Sequence, residues 1–181
     1  MPPSSTTLTF AFAPPPEVDE ARVVEAGPER IGELEPLWRS LYEHHRGIAA
    51  GVAGVRPFEA TWRQRQGQYR GWLGGEDAVL LLAERAGRAV GYAMLTAGPG
   101  AATWDLGDRV AEVETLAVLP EERGGGVGAA VMEACRRWAR ERGIRTIGVG
   151  LAHTNEGARR FYEREGFTPF YLEMVLDLRT R

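Results

Sequence analysis

Four glycines, Gly124, Gly125, Gly126 and Gly128, lie between a strand-like run and a helix-like run in the segment ETLAVLPEERGGGVGA, residues 114–129. A turn of this kind opening a helix leaves several backbone N–H groups without helical acceptors, all aimed one way. The helix dipole adds partial positive charge there, and missing Cβ atoms let an anion approach. The physics is that of a phosphate or pyrophosphate site. Gly124, Gly126 and Ala129 fit G-x-G-x-x-A, the dinucleotide fingerprint, but its context fails. Leu119 to Arg123 intervene after the strand, and Gly150-Leu151-Ala152 stand where a ribose-binding acid belongs. The Walker pattern lacks its lysine. A packing role, with glycines needed only for close helix–strand contact, is the remaining alternative.

The elements around this loop follow from periodicity. Ala21 to Ala26 reads as a first strand, and apolar spacing from Ile31 to Tyr42 as a helix that Pro36 bends or delays. Phe58 to Tyr69 reads as a second helix. Ala78 to Arg85 and Arg88 to Thr96 flank Ala86-Gly87, a tight hairpin signal. Arg109 to Leu119 is the next strand. By a period of two, Val110, Glu112, Glu114, Leu116 and Val118 share one face, with Ala111, Val113, Thr115, Ala117 and Leu119 on the other. Val127 to Arg142 is an amphipathic helix stopped by Gly143. Thr146 to Leu151 is a short buried strand, Asn155 to Glu165 a helix, and Phe170 to Leu178 an alternating strand that closes the sheet. This order predicts an α/β fold with a mixed sheet and helices on both faces. Met1 to Pro16 is rich in Pro, Ser and Thr, so residues 1–20 read as a disordered arm and 21–181 as one domain.

Val113, Leu116, Val118, Pro120, Arg123, Gly126 and Gly128 resemble the V-x-x-L-x-V-x-P-x-x-R-x-x-G-x-G signature of the GNAT family of N-acetyltransferases. A second family motif, N-x-x-A-x-x-F-Y-x-x-x-G-F, is matched by Asn155, Ala158, Phe161, Tyr162, Gly166 and Phe167. Together the motifs cover roughly Ala111 to Phe170. The resemblance implies a mostly antiparallel sheet with a splayed parallel strand pair that holds acetyl-CoA as cosubstrate. It assigns the pantetheine arm to the backbone of Leu116, Ala117 and Val118. The pyrophosphate falls to the N–H groups of Arg123, Gly124, Gly125, Gly126, Val127, Gly128 and Ala129. Arg123 either adds charge to a phosphate or serves the turn. Asn155 either contacts the pantetheine arm or caps its helix, and Ala158 and Phe161 belong to the same cofactor-facing motif.

The resemblance also makes Tyr162 the general acid that protonates the leaving thiolate. The attacking amine must first lose a proton, because an ammonium ion has no lone pair. Glu112 or Glu114 is the implied base, with ordered water as the alternative. Backbone N–H near Leu116 to Val118 would hold the oxyanion. Cys135, on the buried stripe of a helix, reads as a small hydrophobe. His44-His45 reads as a solvated helix end, and His153 as a residue that could line the cleft. No metal site is expected.

Composition narrows the partners. A net charge of −3 gives no basic patch for nucleic acid, and no run reaches the length of a membrane span. One cysteine and no secretory signal fit the cytoplasm. All 22 basic residues are arginine, so an acyl-handling enzyme would carry no lysine of its own to acetylate; base composition of the gene is the plainer cause. Trp38, Tyr42, Phe58, Trp62, Tyr69 and Trp72, with Arg56, Arg63, Arg65 and Arg70 interleaved, mark the acceptor side or simply a core. A small-molecule amine is the expected acceptor, with a peptide or protein N-terminus open. A homodimer is compatible with the family. The rival reading is a non-catalytic acetyl-CoA sensor.

Overall fold

The computed structural model describes residues 20–48, 54–176 and 178. The arm expected over residues 1–20 lies outside them except for Glu20. Strand β1, Arg22–Ala26, breaks at Gly27, and Pro28–Leu34 forms a 3-10 turn. Helix α1, Glu35–Ile48, therefore starts late, with Pro36 in its first turn where a missing N–H costs nothing. Helix α2 is Phe58–Leu73. Ala86 and Gly87, both at positive φ, turn β2, Ala78–Arg85, into β3, Arg88–Pro99. Strand β4 is Arg109–Val118, helix α3 Val127–Glu141, strand β5 Ile147–Gly148 and helix α4 Glu156–Arg164.

The sheet order is β1-β2-β3-β4-β5, antiparallel except for the parallel β4–β5 pair. Each face carries its own apolar cluster. Val131, Cys135 and Trp138 of α3 and Tyr162 of α4 cover one face. On the other, Leu37, Trp38 and Tyr42 of α1 and Phe58, Trp62 and Tyr69 of α2 pack on Leu80, Leu82, Tyr92 and Met94. The aromatic residues of the first two helices are thus core. Arg65 stands over the rings of Trp38 and Tyr69 rather than reaching for an anionic acceptor.

Two expectations are corrected. The first concerns β4. Its register with β3 steps from Met94↔Thr115 to Leu95↔Val113, so Glu114 is an unopposed bulge residue. A one-residue insertion exchanges the faces of everything beyond it. Ala111 and Val113 pack under α3, whereas Thr115, Ala117 and Leu119 turn toward α1 and α2. Leu116 and Val118 now join the α3 side. A period-two reading cannot see this, because the bulge adds no apolar mismatch to the pattern.

A buried chain of hydroxyls holds the bulge. Tyr69 Oη donates to Thr115 Oγ1 at 2.7 Å, and Thr115 Oγ1 donates to the Glu114 carbonyl at 2.7 Å. With its own proton used, Tyr69 Oη accepts from Tyr92 Oη at 3.1 Å. Burial raises both phenols above their ordinary range, which keeps the donors of this chain protonated.

The second correction concerns the closing strand. Phe170 to Leu176, and Leu178, are not in the sheet, and Phe170, Leu172, Met174, Val175, Leu176 and Leu178 are all exposed. A strand needs a hydrogen-bonding neighbour as well as alternation, and β5 is only Ile147–Gly148 long. What the segment makes instead is an edge-on ring contact between Phe170 and Trp104.

Candidate active site

β4 and β5 pair only at Ala111↔Ile147 and Glu112↔Gly148. β4 then runs on to Val118 with no strand beside it on that side among the described residues. This early separation opens a wedge whose inner edge carries Leu116, Ala117 and Val118, the stretch the motif pointed to. At its end, a 3-10 turn at Pro120–Glu122 leads into the glycines.

Gly124 and Gly126 have φ of +80° and +83°, a left-handed backbone that side chains resist. Gly126 is the N-cap of α3 and supplies no side-chain cap. The N–H groups of Val127, Gly128 and Ala129, in the first helical turn, have no helical carbonyl to bond, while Ala130 N–H is the first that does, to Gly126 at 3.0 Å. Gly124, Gly125, Gly126 and Ala129 are exposed. Arg123 turns back, its Nε donating to the Val118 carbonyl at 3.1 Å. It therefore braces the turn, with the rest of the guanidinium open to solvent. Between this turn and α1 lies an open cleft of ≈ 590 Å³ lined by Arg39, Ser40, His44 and Arg123 among others.

Glu112 stands where the pairing ends. Its carboxylate reaches across to β5, where a Cβ on Gly148 would run into it, and the Gly150 N–H bonds to it. Burial, with the nearby charge of Glu114, holds this carboxyl above the usual carboxylate range, and the Gly150 bond offsets only part of that. Glu114, on the bulge, accepts from Thr96 Oγ1 at 2.8 Å.

Tyr162 enters from α4 and is 6% exposed. Its ring is fixed edge-on by Phe161 and Phe167, at centroid distances of 5.0 and 5.2 Å. Its hydroxyl takes no hydrogen bond among the described residues. Burial, then Cys135 and Glu112, push the phenol above its ordinary range. Tyr162 and Cys135 belong to one apolar cluster, and the charge of Glu112, 50 residues away in the chain, reaches the phenol. Cys135 is fully buried and its thiol is pushed up to about 12 by desolvation. A thiol held protonated is a poor nucleophile.

Asn155 caps α4, its Oδ1 accepting from Ala158 N–H at 3.1 Å. The same oxygen meets His44 Nε2 at 3.2 Å. The expectation that His44-His45 forms a solvated helix end is thereby corrected: both rings are half-buried, and α1 continues through Gly47 to Ile48. Burial, then the charges of His44 and Arg65, lower the pKa of His45. His153 is exposed. Thr96, Gly148 and His44 each touch a candidate site residue and no motif marked them; only Gly148, in the run IGVG, carries a local signal for close approach. No cluster of His, Cys, Asp or Glu able to hold a metal occurs among the described residues, and no helix there is long and apolar enough to cross a membrane.

The acetyltransferase (GNAT) family matches residues 38–167, and the chain belongs to that family. This makes it an acetyl-CoA-dependent N-acetyltransferase. An uncharacterized N-acetyltransferase of Archaeoglobus fulgidus is 33% identical over 133 residues, 72% of this chain and 83% of that protein. An aminoglycoside N(6')-acetyltransferase of Klebsiella aerogenes is 32% identical over 61% of this chain and 74% of its own length. A mycothiol acetyltransferase of Thermobispora bispora is 29% identical over 90% of this chain, which spans 52% of that longer protein. Among solved structures, a predicted acetyltransferase of Clostridium acetobutylicum, crystallised with acetyl-CoA, superposes with a TM-score of 0.71 at 16% identity over 90% of this chain and 99% of that one.

Proposed function

We propose that the chain transfers the acetyl group of acetyl-CoA directly to the amine of a small molecule, both held together in the β4–β5 wedge. The observation that carries this is a half-buried carboxylate, Glu112, where the β4–β5 pairing ends, with its charge acting on the buried phenol of Tyr162, which bonds nothing among the described residues. The glycine turn at the end of β4 receives the pyrophosphate, and the outer edge of Leu116 to Val118, where the Val118 carbonyl already accepts from Arg123, receives the pantetheine arm.

Glu112 takes the proton of the ammonium ion, directly or through water. The freed lone pair attacks the thioester carbon, and N–H groups past the Glu114 bulge face the oxygen that gains charge. As the C–S bond breaks, Tyr162 gives its proton to the departing sulfur. The second proton of the attacking nitrogen, acidic once the N–C bond has formed, passes through water to the phenolate. The products are neutral amide, CoA thiol and a restored phenol, with the first proton released to solvent from Glu112. Glu114, already held by Thr96, tunes Glu112 through its charge and stands as the second candidate base.

Thermal unfolding tests the binding site. Acetyl-CoA at about 100 times its dissociation constant stabilises the fold by about 2.7 kcal/mol, a rise of about 5–10 °C for a chain of this size, and NAD gives none. Absence of a shift with acetyl-CoA overturns the wedge as a binding site. Mass spectrometry of products over a panel of amines then separates an enzyme from a sensor, since a sensor leaves every amine unchanged.

The base has its own signature. Glu112→Gln lowers kcat/KM by about 10²–10³ and abolishes the rising acid limb of the pH–rate profile. In the wild type that limb lies above the ordinary carboxylate range, because Glu112 works only when ionised and its pKa is raised. The linkage runs the other way for stability. A raised carboxyl pKa means that the folded chain holds this proton more tightly, so stability falls as pH rises through the raised value. The Gln variant thus unfolds at neutral pH at a temperature equal to or above the wild type. A wild-type rate in Glu112→Gln assigns the role to Glu114 or water.

A further inference from the structure

Asn155 is 8% exposed, and its side-chain oxygen has two partners. Ala158 N–H, a donor and nothing else, bonds Oδ1 at 3.1 Å, which settles which end of the amide is oxygen. His44 Nε2 lies 3.2 Å from the same Oδ1. An oxygen with two lone pairs facing two nitrogens requires that Nε2 carry a hydrogen. The neutral ring is then the Nε2–H tautomer, with Nδ1 left as an acceptor. Both acceptor positions of Asn155 are filled, and only its two Nδ2–H donors remain to be used.

We infer that His44 is a positioning residue for cosubstrate binding: by donating to Oδ1, it locks the Asn155 amide so that only N–H donors can be offered to a ligand. An amide presented this way selects a carbonyl oxygen, the group the pantetheine arm carries in its two amide links. Without His44, the cap to Ala158 alone still permits Asn155 to swing about that single bond, and Oδ1 keeps a lone pair that competes for solvent. The inference rests on the proposed placement of acetyl-CoA in the wedge. It goes beyond that placement by recruiting α1, an element outside both motifs, to the cosubstrate site.

A second tie joins the same two elements without touching the amide. Thr154 Oγ1 donates to the Ile48 carbonyl at 2.8 Å. This tie is the control for general docking of α1.

The test uses the full chain and acetyl-CoA itself, by calorimetric titration and steady-state rates. Asn155→Asp keeps the oxygen that caps α4 and removes the donors, so α4 and the unfolding temperature are retained while affinity falls about ten-fold or more, the worth of one lost hydrogen bond. His44→Leu raises the dissociation constant and KM by about five-fold, with kcat unchanged, and His44→Gln, which restores an N–H donor, recovers most of the loss. Thr154→Val leaves affinity within about two-fold. In the free wild type, long-range ¹⁵N–¹H correlation shows the Nε2–H tautomer at His44. Wild-type affinity in His44→Leu, an equal loss in Thr154→Val, or an Nδ1–H tautomer overturns the inference. Failure of the wild type to bind acetyl-CoA overturns the wedge placement, and the tautomer then decides on its own whether His44 holds Asn155.

Discussion

Tyr162→Phe lowers kcat by about 10²–10³ while the affinity for acetyl-CoA and the unfolding temperature stay at or above wild type. The separation of the two effects follows from how the ring is held. Phe161 and Phe167 fix it through edge contacts that a phenylalanine keeps. The hydroxyl bonds nothing among the described residues, so its removal leaves no orphaned partner and relieves a desolvated polar group. What disappears is the proposed proton donor to the departing sulfur. Because burial pushes the phenol up, it remains protonated throughout the neutral range, and the wild-type rate shows no falling limb below about pH 10. The thiolate it serves forms in the same desolvated space, where an unprotonated sulfur is equally disfavoured, so the transfer is not opposed by the raised phenol. Stopped-flow or steady-state kinetics with a reactive amine, alongside calorimetric binding, measures both quantities. An unchanged kcat would return the proton to solvent and leave Tyr162 as a wall of the wedge.

Gly126→Val weakens acetyl-CoA binding by about 10²-fold or more, the loss expected when charge-assisted N–H contacts to a phosphate are displaced. Two causes act together. The φ of +83° at Gly126 is costly for a branched residue. The new side chain also stands at the N-terminus of α3, before the N–H groups proposed to face the anion. A Cβ there meets no protein atom within 4 Å, so the chain still packs and the damage falls on backbone geometry and on the ligand. S-acetylpantetheine, which lacks the pyrophosphate, distinguishes this from collapse of the wedge: its affinity changes little between wild type and variant. Equal weakening of both ligands would mean that the glycines serve α3 packing rather than anion binding.

The parts of the site that were legible in the chain are those written as local order. The glycine run, the strand before it and the helix after it lie within Arg109 to Glu141, and each announces itself by composition or period. The cap at Asn155 and the ring pair Phe161-Tyr162 are likewise local. Glu112 and Glu114 were found as residues, but their inequality was not. It arises because Glu114 sits on a bulge and is tied to Thr96, while Glu112 reaches past Gly148 to the Gly150 N–H.

The sequence by itself determined the family, the hairpin, the two motif helices and the glycine turn that is proposed to hold an anion, because these depend on neighbours a few residues apart. Tertiary structure decided the faces of β4, since one unopposed residue reverses the sense of inside and outside for all that follow it. It also decided that His44 meets Asn155 across 111 positions and that Cys135 and Tyr162 share one apolar cluster. The alternating segment from Phe170 shows the same limit in reverse: its pattern suits a strand, yet pairing depends on an edge elsewhere in the fold. Periodicity records which side of an element is apolar; which other element lies against that side is settled only when the chain closes on itself.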